Sequence, residues 1–280
     1  MEVLERIKSI NPRIIYVLIL VVIAIPLIKP FGLPMMVMQP SKDFYNVVES
    51  LKPGARVMIS WDYGAGSDVE LDPIAKSLLI HLVKKGAKIY ATSSIPDGPM
   101  FAERSLKVLE SLNQQYGSDY VNLGFFAGGE SGIAAWAENF ESVFRTDWRK
   151  TPAAQIPMME GIKSAKDFDL IVTLNTGPGG YGTPDVWVRQ IYVAKNVPLA
   201  MGVTAIMGPQ TMPYLQSHQI AGLLVGLRSA AEYEALLRAP GIATAQMDAQ
   251  SAAHTVILIL IILGNLGHLA DKKHRRKTAK

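Results

Sequence analysis

Two segments near the ends of the chain are apolar and free of charged residues. The first is residues 14–28, between Arg13 and Lys29, and the second is residues 252–270. A membrane-spanning helix needs about 20 apolar residues, and the second segment supplies them directly. The first is shorter, but the stems of Arg13 and Lys29 can lie along a helix and place their charges at the lipid headgroups. The pattern predicts one transmembrane helix at each end, with a buried core helix as the alternative for each segment.

Between these segments, apolar runs alternate with amphipathic stretches. The apolar runs predict five strands and a weaker sixth, at residues 55–61, 88–94, 120–127, 169–176, 197–206 and 220–227. The amphipathic stretches predict helices at residues 71–87, 99–117, 131–144, 158–168, 183–196 and 229–238. Such alternation is typical of βαβ units, and right-handed crossovers place helices on both faces of the sheet. For residues 41–242 we therefore predict an α/β fold, a doubly wound, mostly parallel, Rossmann-like sheet of five or six strands.

The predicted domain is joined to the apolar segments in two different ways. Residues 29–40 contain three prolines and predict an extended connector. Residues 243–270 predict one helix that continues into the second span without a break. Such a helix would couple the domain to the membrane rigidly.

Basic residues are concentrated beside the second apolar segment. Residues 271–280 contain six Lys/Arg and one Asp, a net charge of +5, whereas residues 1–13 have a net charge of +1 and residues 29–251 of −2. Because cytoplasmic flanks of membrane spans carry an excess of Lys and Arg, we expect both termini in the cytoplasm and an extracytoplasmic central domain. The stretch after residue 28 lacks the small-residue pattern of a cleavage site, which favours an uncleaved signal anchor.

Composition narrows the classes of partner. The chain contains no cysteine, which excludes disulfides, a thiolate nucleophile and Cys-ligated metal. Its net charge of +4 comes from the tails, so the basic character indicates anionic lipid headgroups and not nucleic acid. Asn265 is costly in lipid and shares a helical face with His268. We therefore expect the lipid bilayer and other membrane subunits, or a second copy of the chain, as partners.

The loops after the predicted strands are rich in glycine and proline, whereas the opposite loops resemble ordinary tight connectors. In open α/β sheets, ligands bind at the carboxyl ends of the strands where the strand order reverses. These loops predict a ligand-binding site formed by Asp62, Tyr63, Gly128, Gly129, Ser131, Asn175, Thr176, Gly177, Gly179, Gly180 and Gly182.

One of these loops matches a nucleotide-binding pattern. Residues 177–182 read GPGGYG and fit G-x-G-x-x-G. The match follows the fourth strand and not the first, and no Asp or Glu ends the next strand to bind a ribose. The context favours a plain glycine-rich turn, or a site for another anion or polar ligand, over a dinucleotide site.

Carboxylates in the same loops suggest a second kind of site. Asp62, Asp68 and Glu130 can bind a divalent cation through oxygen ligands. Asp62, which directly follows a buried strand, and His218, in an exposed turn, are the candidates for acid–base catalysis. Asp72 is most simply the cap of the first predicted helix of the domain. Solvated loop charges are the alternative interpretation of this acidic group.

No familiar catalytic motif accompanies these loops. The sequence contains no Walker A lysine motif, no G-x-S-x-G and no H-E-x-x-H. Glycine-rich loops and anchoring at both ends indicate a non-catalytic domain that acts as a ligand-binding sensor or as a scaffold subunit of a membrane complex. The alternative hypothesis is an enzyme, a metal-assisted hydrolase or transferase with its site at the carboxyl ends of the strands.

Overall fold

The computed structural model describes residues 11–177 and 183–278, with side chains described as far as residue 269. The chain divides into two compact units: Met35–Ala239 is one, and Met1–Pro34 together with Pro240–Lys280 is the other. Three predicted site residues, Gly179, Gly180 and Gly182, lie outside the described residues.

Met35–Ala239 contains a six-stranded parallel sheet. Its strands are β1 Arg56–Asp62, β2 Lys88–Ser93, β3 Tyr120–Phe125, β4 Leu170–Asn175, β5 Leu199–Val203 and β6 Gly222–Val225. The order across the sheet is β3-β2-β1-β4-β5-β6, which is the order of the Rossmann fold. Strands buried on both faces are continuous apolar runs, which is why the sequence predicts them well. The doubly wound α/β fold is confirmed, with all neighbouring strands parallel.

Helices alternate with these strands and also form the flanking unit. They are α1 Pro12–Ile28, α2 Gln39–Glu49, α3 Asp68–Lys85, α4 Gly98–Ser111, α5 Glu130–Glu138, α6 Phe140–Val143, α7 Pro184–Trp187, α8 Gly208–Gln216, α9 Gly226–Leu236 and α10 Ile242–Thr278. A π-helical segment, Val188–Val193, extends α7.

Four local predictions need correction. The helix predicted at residues 158–168 is replaced by 3-10 turns at Pro157–Met159 and Ala165–Asp167, because Gly161 between them has a φ of 78°. The helix predicted at 131–144 is divided at Asn139, whose side chain caps α6. The predictions also omitted α2 and α8, and α8 carries prolines that conceal its helical pattern.

Helices cover both faces of the sheet. On one face α2 packs against β6, and α9 and α4 pack against α3. The approach of α2 is close, since a Cβ on Gly222 would lie 2.3 Å from the Cα of Phe44. The other face carries a buried aromatic cluster that includes Trp136, Trp187 and Phe140. This packing fixes the strand ends from which the loops of the candidate site emerge.

The flanking unit contains one helix that can span a membrane. The segment Ile242–Leu269 of α10 is long and apolar enough to cross a bilayer, and only 6% of its most apolar stretch is buried. A core helix of a soluble domain would be mostly buried. The predicted helix over 243–270 is therefore present as part of α10.

The second predicted span is not supported. The helix α1 has 17 residues, or about 25 Å at 1.5 Å per residue, against about 30 Å for the hydrocarbon core of a bilayer. Among the residues described, only Ile242–Leu269 has the length and composition of a span. One transmembrane helix at each end is thus corrected to one candidate, near the C-terminus.

The two helices of the flanking unit pack against each other. Less exposed side chains recur every three or four residues on both: Ile15, Ile19, Val22 and Pro26 on α1, and Val256, Leu260, Leu263 and Gly267 on α10. Side chains with this spacing share one helical face. The remaining surface is apolar and open, with Leu20 68% and Ile262 57% exposed.

A buried carboxylate of α10 binds the segment that follows α1. Asp248 on α10 accepts hydrogen bonds from three successive backbone N–H groups, those of Phe31 at 2.7 Å, Gly32 at 2.8 Å and Leu33 at 3.1 Å. Its side chain satisfies donors that follow the end of α1. Residues 31–33 of the predicted extended connector are therefore fixed to α10.

Candidate functional site

The strand order reverses between β1 and β4, at their carboxyl ends. Asp62 and Asn175 are register partners there. The chain leaves β1 toward α3 and leaves β4 toward α7, an arrangement that forms a crevice between the two loops in open α/β sheets. This is the position at which Rossmann folds bind ligands, and it is where the sequence predicts the site.

Asp62 lies beneath this crevice and is buried, with 3% exposure. Its Oδ1 accepts hydrogen bonds from Ser60 Oγ at 2.7 Å and from the backbone N and Oγ of Ser94 at 2.8 and 2.7 Å. Its Oδ2 accepts from Thr173 Oγ1 and Trp187 Nε1, both at 3.0 Å. One carboxylate thereby joins β1, the end of β2, β4 and α7.

The hydrogen bonds to Asp62 offset only part of the effect of burial on its pKa. Burial raises the pKa of Asp62 above its ordinary value, although the bonds from Ser94, Ser60 and Thr173 act in the opposite direction. Both oxygens are occupied by donors from the protein itself. Asp62 therefore positions the strand ends and does not present a carboxylate to a ligand.

Tyr63 also belongs to the interior and not to the surface of the crevice. Its side chain is fully buried and packs against Phe101 with a centroid distance of 5.5 Å. Burial, with the nearby Asp72 charge, raises the pKa of Tyr63, and its hydroxyl has no hydrogen-bond partner in the described chain. Its predicted role in ligand binding would need a path into this interior.

The loop after β3 is a tight turn into α5. Gly128 and Gly129 have φ values of 100° and 54°, a backbone region that glycine adopts readily. Ser131 Oγ donates to the carbonyl of Gly128 at 2.8 Å. These three predicted site residues lie together, and the serine hydroxyl is used within the turn.

The loop after β4 begins with a fixed conformation. Asn175 Oδ1 accepts from the backbone N of Gly177 at 2.8 Å, and the carbonyl of Thr176 faces Thr204 Oγ1 at 3.5 Å. Gly177 has a φ of 104°, and a Cβ there would lie 2.2 Å from Met207 Sδ. The first glycine of the sequence pattern is therefore explained by a close approach between the loops after β4 and β5.

The three predicted metal ligands do not share a site. Asp68 pairs with Arg104 at 3.0 Å, Asp62 is enclosed by its five donors, and Glu130 binds Arg189 through both carboxylate oxygens at 3.0–3.1 Å. The hydrogen bond from Arg189 lowers the pKa of Glu130. In residues 11–177 and 183–269, no three His, Cys, Asp or Glu side chains are grouped to hold a metal ion.

Two further predictions about the acidic loops are corrected by the helix boundary. The helix α3 begins at Asp68 and not at residue 71, so Asp72 lies inside it and accepts from Ser105 Oγ at 2.7 Å. Glu70 accepts from the backbone N of Ala205 at 2.7 Å. It thereby links α3 to the loop after β5.

His218 lies at the other edge of the sheet. It follows α8 in a turn with a φ of 58°, four residues before β6 begins at Gly222. That is the amino end of a parallel strand, whereas Asp62 is at a carboxyl end. Asp62 and His218 therefore cannot serve as an acid–base pair in one site.

A pocket of about 300 Å³ does open at the carboxyl edge, between the loops after β4 and β5. It is lined by Thr183, Pro184, Asp185, Met207, Gln210 and Tyr214. Burial alone would raise the pKa of Asp185, but hydrogen bonds from Thr183 at 2.5 Å and Arg189 at 2.9 Å lower it. This acid is therefore already neutralised by a cation of the protein.

Sequence reasoning missed this lining. The loop after the fifth predicted strand belongs to the predicted site, but residues 208–214 form most of α8, which exposes Gln210. No side-chain hydrogen bond of Gln210 or Tyr214 occurs within the described part of the chain. The signal that could have found them is the one-turn spacing of Met207, Gln210 and Tyr214.

Comparison with known protein families and with curated protein sequences found no match for this chain.

Proposed function

We propose that this chain is a membrane-anchored, non-catalytic binding subunit whose α/β domain binds a small polar ligand at the carboxyl edge of the sheet. The observation that carries the proposal is the pocket of about 300 Å³ at the carboxyl ends of the strands, between the loops after β4 and β5. Its volume is at the lower end of the range for small-molecule sites, about 300–1,000 Å³.

The lining favours an uncharged polar ligand. Asp185 is paired with Arg189, so the pocket has no uncompensated charge among its described residues. Gln210 supplies an amide donor and acceptor, Tyr214 supplies a hydroxyl, and Met207 and Pro184 supply apolar surface. A ligand with hydroxyl or amide groups on a small carbon skeleton matches these groups.

Binding is favoured over catalysis by the state of the acidic side chains. Asp62 has both oxygens engaged, Glu130 and Asp68 are paired with arginines, and His218 is at the opposite edge. The alternative, a metal-assisted hydrolase or transferase, needs Asp62, Asp68 and Glu130 in one place. Their separation removes its main support.

The anchoring part of the proposal rests on α10. The open apolar surface of Ile242–Leu269 matches lipid, and the basic cluster at 271–280 follows this apolar segment. We propose that α10 spans the membrane with this cluster in the cytoplasm, that α1 packs against it without spanning the bilayer, and that Met35–Ala239 is extracytoplasmic. A sensor or a scaffold subunit of a membrane complex is consistent with this arrangement.

The test is a binding screen on the full chain in detergent. A panel of small sugars, polyols, amides and nucleosides is screened by ligand-observed NMR, and the hits are titrated with wild type, with Gln210→Ala plus Tyr214→Phe, and with Gln216→Ala. Gln216 is an exposed residue at the other end of α8 and is the matched control.

We expect at least one hit whose affinity falls about tenfold in the double variant, the loss of one or two hydrogen bonds, and is unchanged in the control. Hits that bind the double variant as well as wild type, or a panel without hits, would count against this pocket as the ligand site.

A further inference from the structure

A second and larger cavity, of about 490 Å³, lies at the amino ends of the strands, opposite the edge of the candidate site. It is lined by Phe140, Glu141, Phe144, Arg145, Ala153, Ala154, Ile156, Pro157, Met159, Glu160, Gly161 and Ile162. Arg56, the first residue of β1, donates from its guanidinium to the carbonyl of Glu160 at 3.0 Å. This contact places the cavity at the amino ends of the strands.

The cavity is built by the longest irregular stretch of the domain, residues 144–169, together with α6. Irregular connections of this length are uncommon in compact domains and are usually functional when they are ordered. Specific hydrogen bonds fix this stretch: Tyr90 donates from its hydroxyl to the carbonyl of Met158 at 2.6 Å, and the backbone N of Phe140 donates to the carbonyl of Lys163 at 2.8 Å. The cavity is therefore a defined feature of the fold.

Its floor and its mouth differ in chemistry. The floor is apolar and buried, formed by Phe140, Phe144, Ile156, Met159 and Ile162. The mouth carries three exposed charged side chains, Glu141, Arg145 and Glu160. None of the three charged groups makes an ion pair or a side-chain hydrogen bond with the residues that the structure describes.

We propose that this cavity binds a small zwitterion with an apolar side chain, of the class of the aliphatic and aromatic α-amino acids. The ligand carboxylate pairs with the Arg145 guanidinium, which can bind it through two parallel hydrogen bonds. The ligand ammonium pairs with Glu141 or Glu160, and the apolar side chain enters the floor against Phe140 and Phe144.

The charges of the mouth select this class over its neighbours. An apolar anion would meet Arg145 but also two carboxylates of like charge, and an apolar cation would leave the arginine unpaired. A purely apolar ligand would displace water from all three charged groups without replacing its hydrogen bonds. Only a ligand with both charges matches the arginine and the carboxylates at once, and the cavity volume lies within the range of small-molecule sites.

The first experiment is isothermal titration of the full chain in detergent with four probes. Phenylalanine has both charges and the apolar side chain, N-acetylphenylalanine lacks the ammonium, phenylalaninamide lacks the carboxylate, and glycine lacks the side chain. We expect phenylalanine to bind at one site and the other three to bind about tenfold or more weakly. Phenylalaninamide that binds as tightly as phenylalanine would identify a peptide amino terminus as the ligand instead, and would overturn the proposal.

Variants then locate the site. We expect Arg145→Gln to weaken phenylalanine binding about tenfold, and Ala154→Trp, which fills the cavity from an exposed lining position, to abolish it. Arg149→Gln is the control, because Arg149 is on the same connector but lies over the Tyr116 ring outside the lining. Melting temperatures near that of wild type verify folding of each variant. No binding of phenylalanine to wild type, or equal binding to all three variants, would refute the assignment.

Discussion

At the scale of single residues, Asp62 determines how the carboxyl edge is held together. Its partners Ser94, Thr173 and Trp187 come from different elements, and each donates to a carboxylate oxygen. A buried group with several partners is costly to alter, because each partner is left without its hydrogen bond.

The substitution Asp62→Asn tests this role. The amide replaces one acceptor oxygen with a donor that faces other donors, so we expect the free energy of unfolding to fall by about 2–4 kcal/mol. Asp68→Asn is the control, because an exposed ion pair contributes about 0–1 kcal/mol. Urea denaturation measures both, and equal losses in the two variants would contradict a structural role of Asp62.

His81 is a second residue whose environment predicts a measurable effect on stability. It is buried on α3, with Nε2 2.8 Å from Glu49 Oε2 and Nδ1 2.7 Å from the Tyr233 hydroxyl. A carboxylate only accepts, so Nε2 carries the proton and Nδ1 accepts from Tyr233. Burial lowers the pKa of His81 below 6.5, against the opposing effect of Glu49.

This lowered pKa predicts a pH dependence of stability. The unfolded chain binds a proton at His81 that the folded chain does not, so the contribution is complete above pH 6.5 and is lost as the pH falls toward the lowered value. We expect wild type to lose stability from pH 7.5 to about 5.5 more steeply than His81→Phe. Urea titrations at each pH measure the difference, and parallel profiles would refute a buried neutral histidine.

At the scale of elements, Asp248 joins the segment after α1 to α10. Its three acceptor contacts to residues 31–33 cross a large separation in sequence. The connection depends on one side chain of α10 and not on helix packing alone.

Replacing this side chain should release the segment. In Asp248→Ala we expect the amides of Phe31, Gly32 and Leu33 to exchange hydrogen at least about tenfold faster. Gln250→Ala, an exposed change on the same helix, should leave the rates unchanged. Hydrogen exchange with mass spectrometry measures both, and unchanged protection in Asp248→Ala would show that the contacts do not hold the segment.

The sequence predicted the secondary-structure elements better than it predicted the hydrogen-bond and ion-pair partners of their side chains. The strands were predictable because burial on both faces leaves apolar runs, and Asp62 was recognisable as the residue after the first run. Its environment was not predictable, since Ser94, Thr173 and Trp187 lie 32, 111 and 125 residues away. The arginines that separate the predicted metal ligands are likewise distant, 36 residues for Asp68 and 59 for Glu130.

The two apolar segments near the ends of the chain show a similar limit of prediction from composition. Both are apolar, but the number of residues that join a helix decides whether it reaches across a bilayer. α1 begins at Pro12, is followed by Lys29, and has 17 residues, whereas α10 continues for 37. Apolar runs therefore predicted both helices without distinguishing a candidate span from a helix too short to cross a bilayer.

At the scale of the whole molecule, the proposed orientation can be tested by labelling an introduced cysteine. The chain has no cysteine of its own that would be labelled as well. Ser118 is exposed between α4 and β3, and Lys280 ends the basic tail. On intact cells we expect a membrane-impermeant maleimide to label Ser118→Cys and to leave Lys280→Cys unlabelled. Labelling after lysis provides the control for both, and the reverse pattern on intact cells would place the domain in the cytoplasm.

The contact between Asp248 and residues 31–33 also shows how the α/β domain is inserted in the chain. Met35–Ala239 is an insertion between the two segments of the flanking unit, because the chain leaves that unit at Pro34 and returns to it at Pro240. The contact of Asp248 with Leu33 joins the two segments and involves residues of the flanking unit alone. A domain inserted between two segments that are joined to each other can be replaced by a short linker or by another domain. If the proposed function holds, the anchoring part and the ligand-binding part of the chain therefore lie in two separate units that can vary independently.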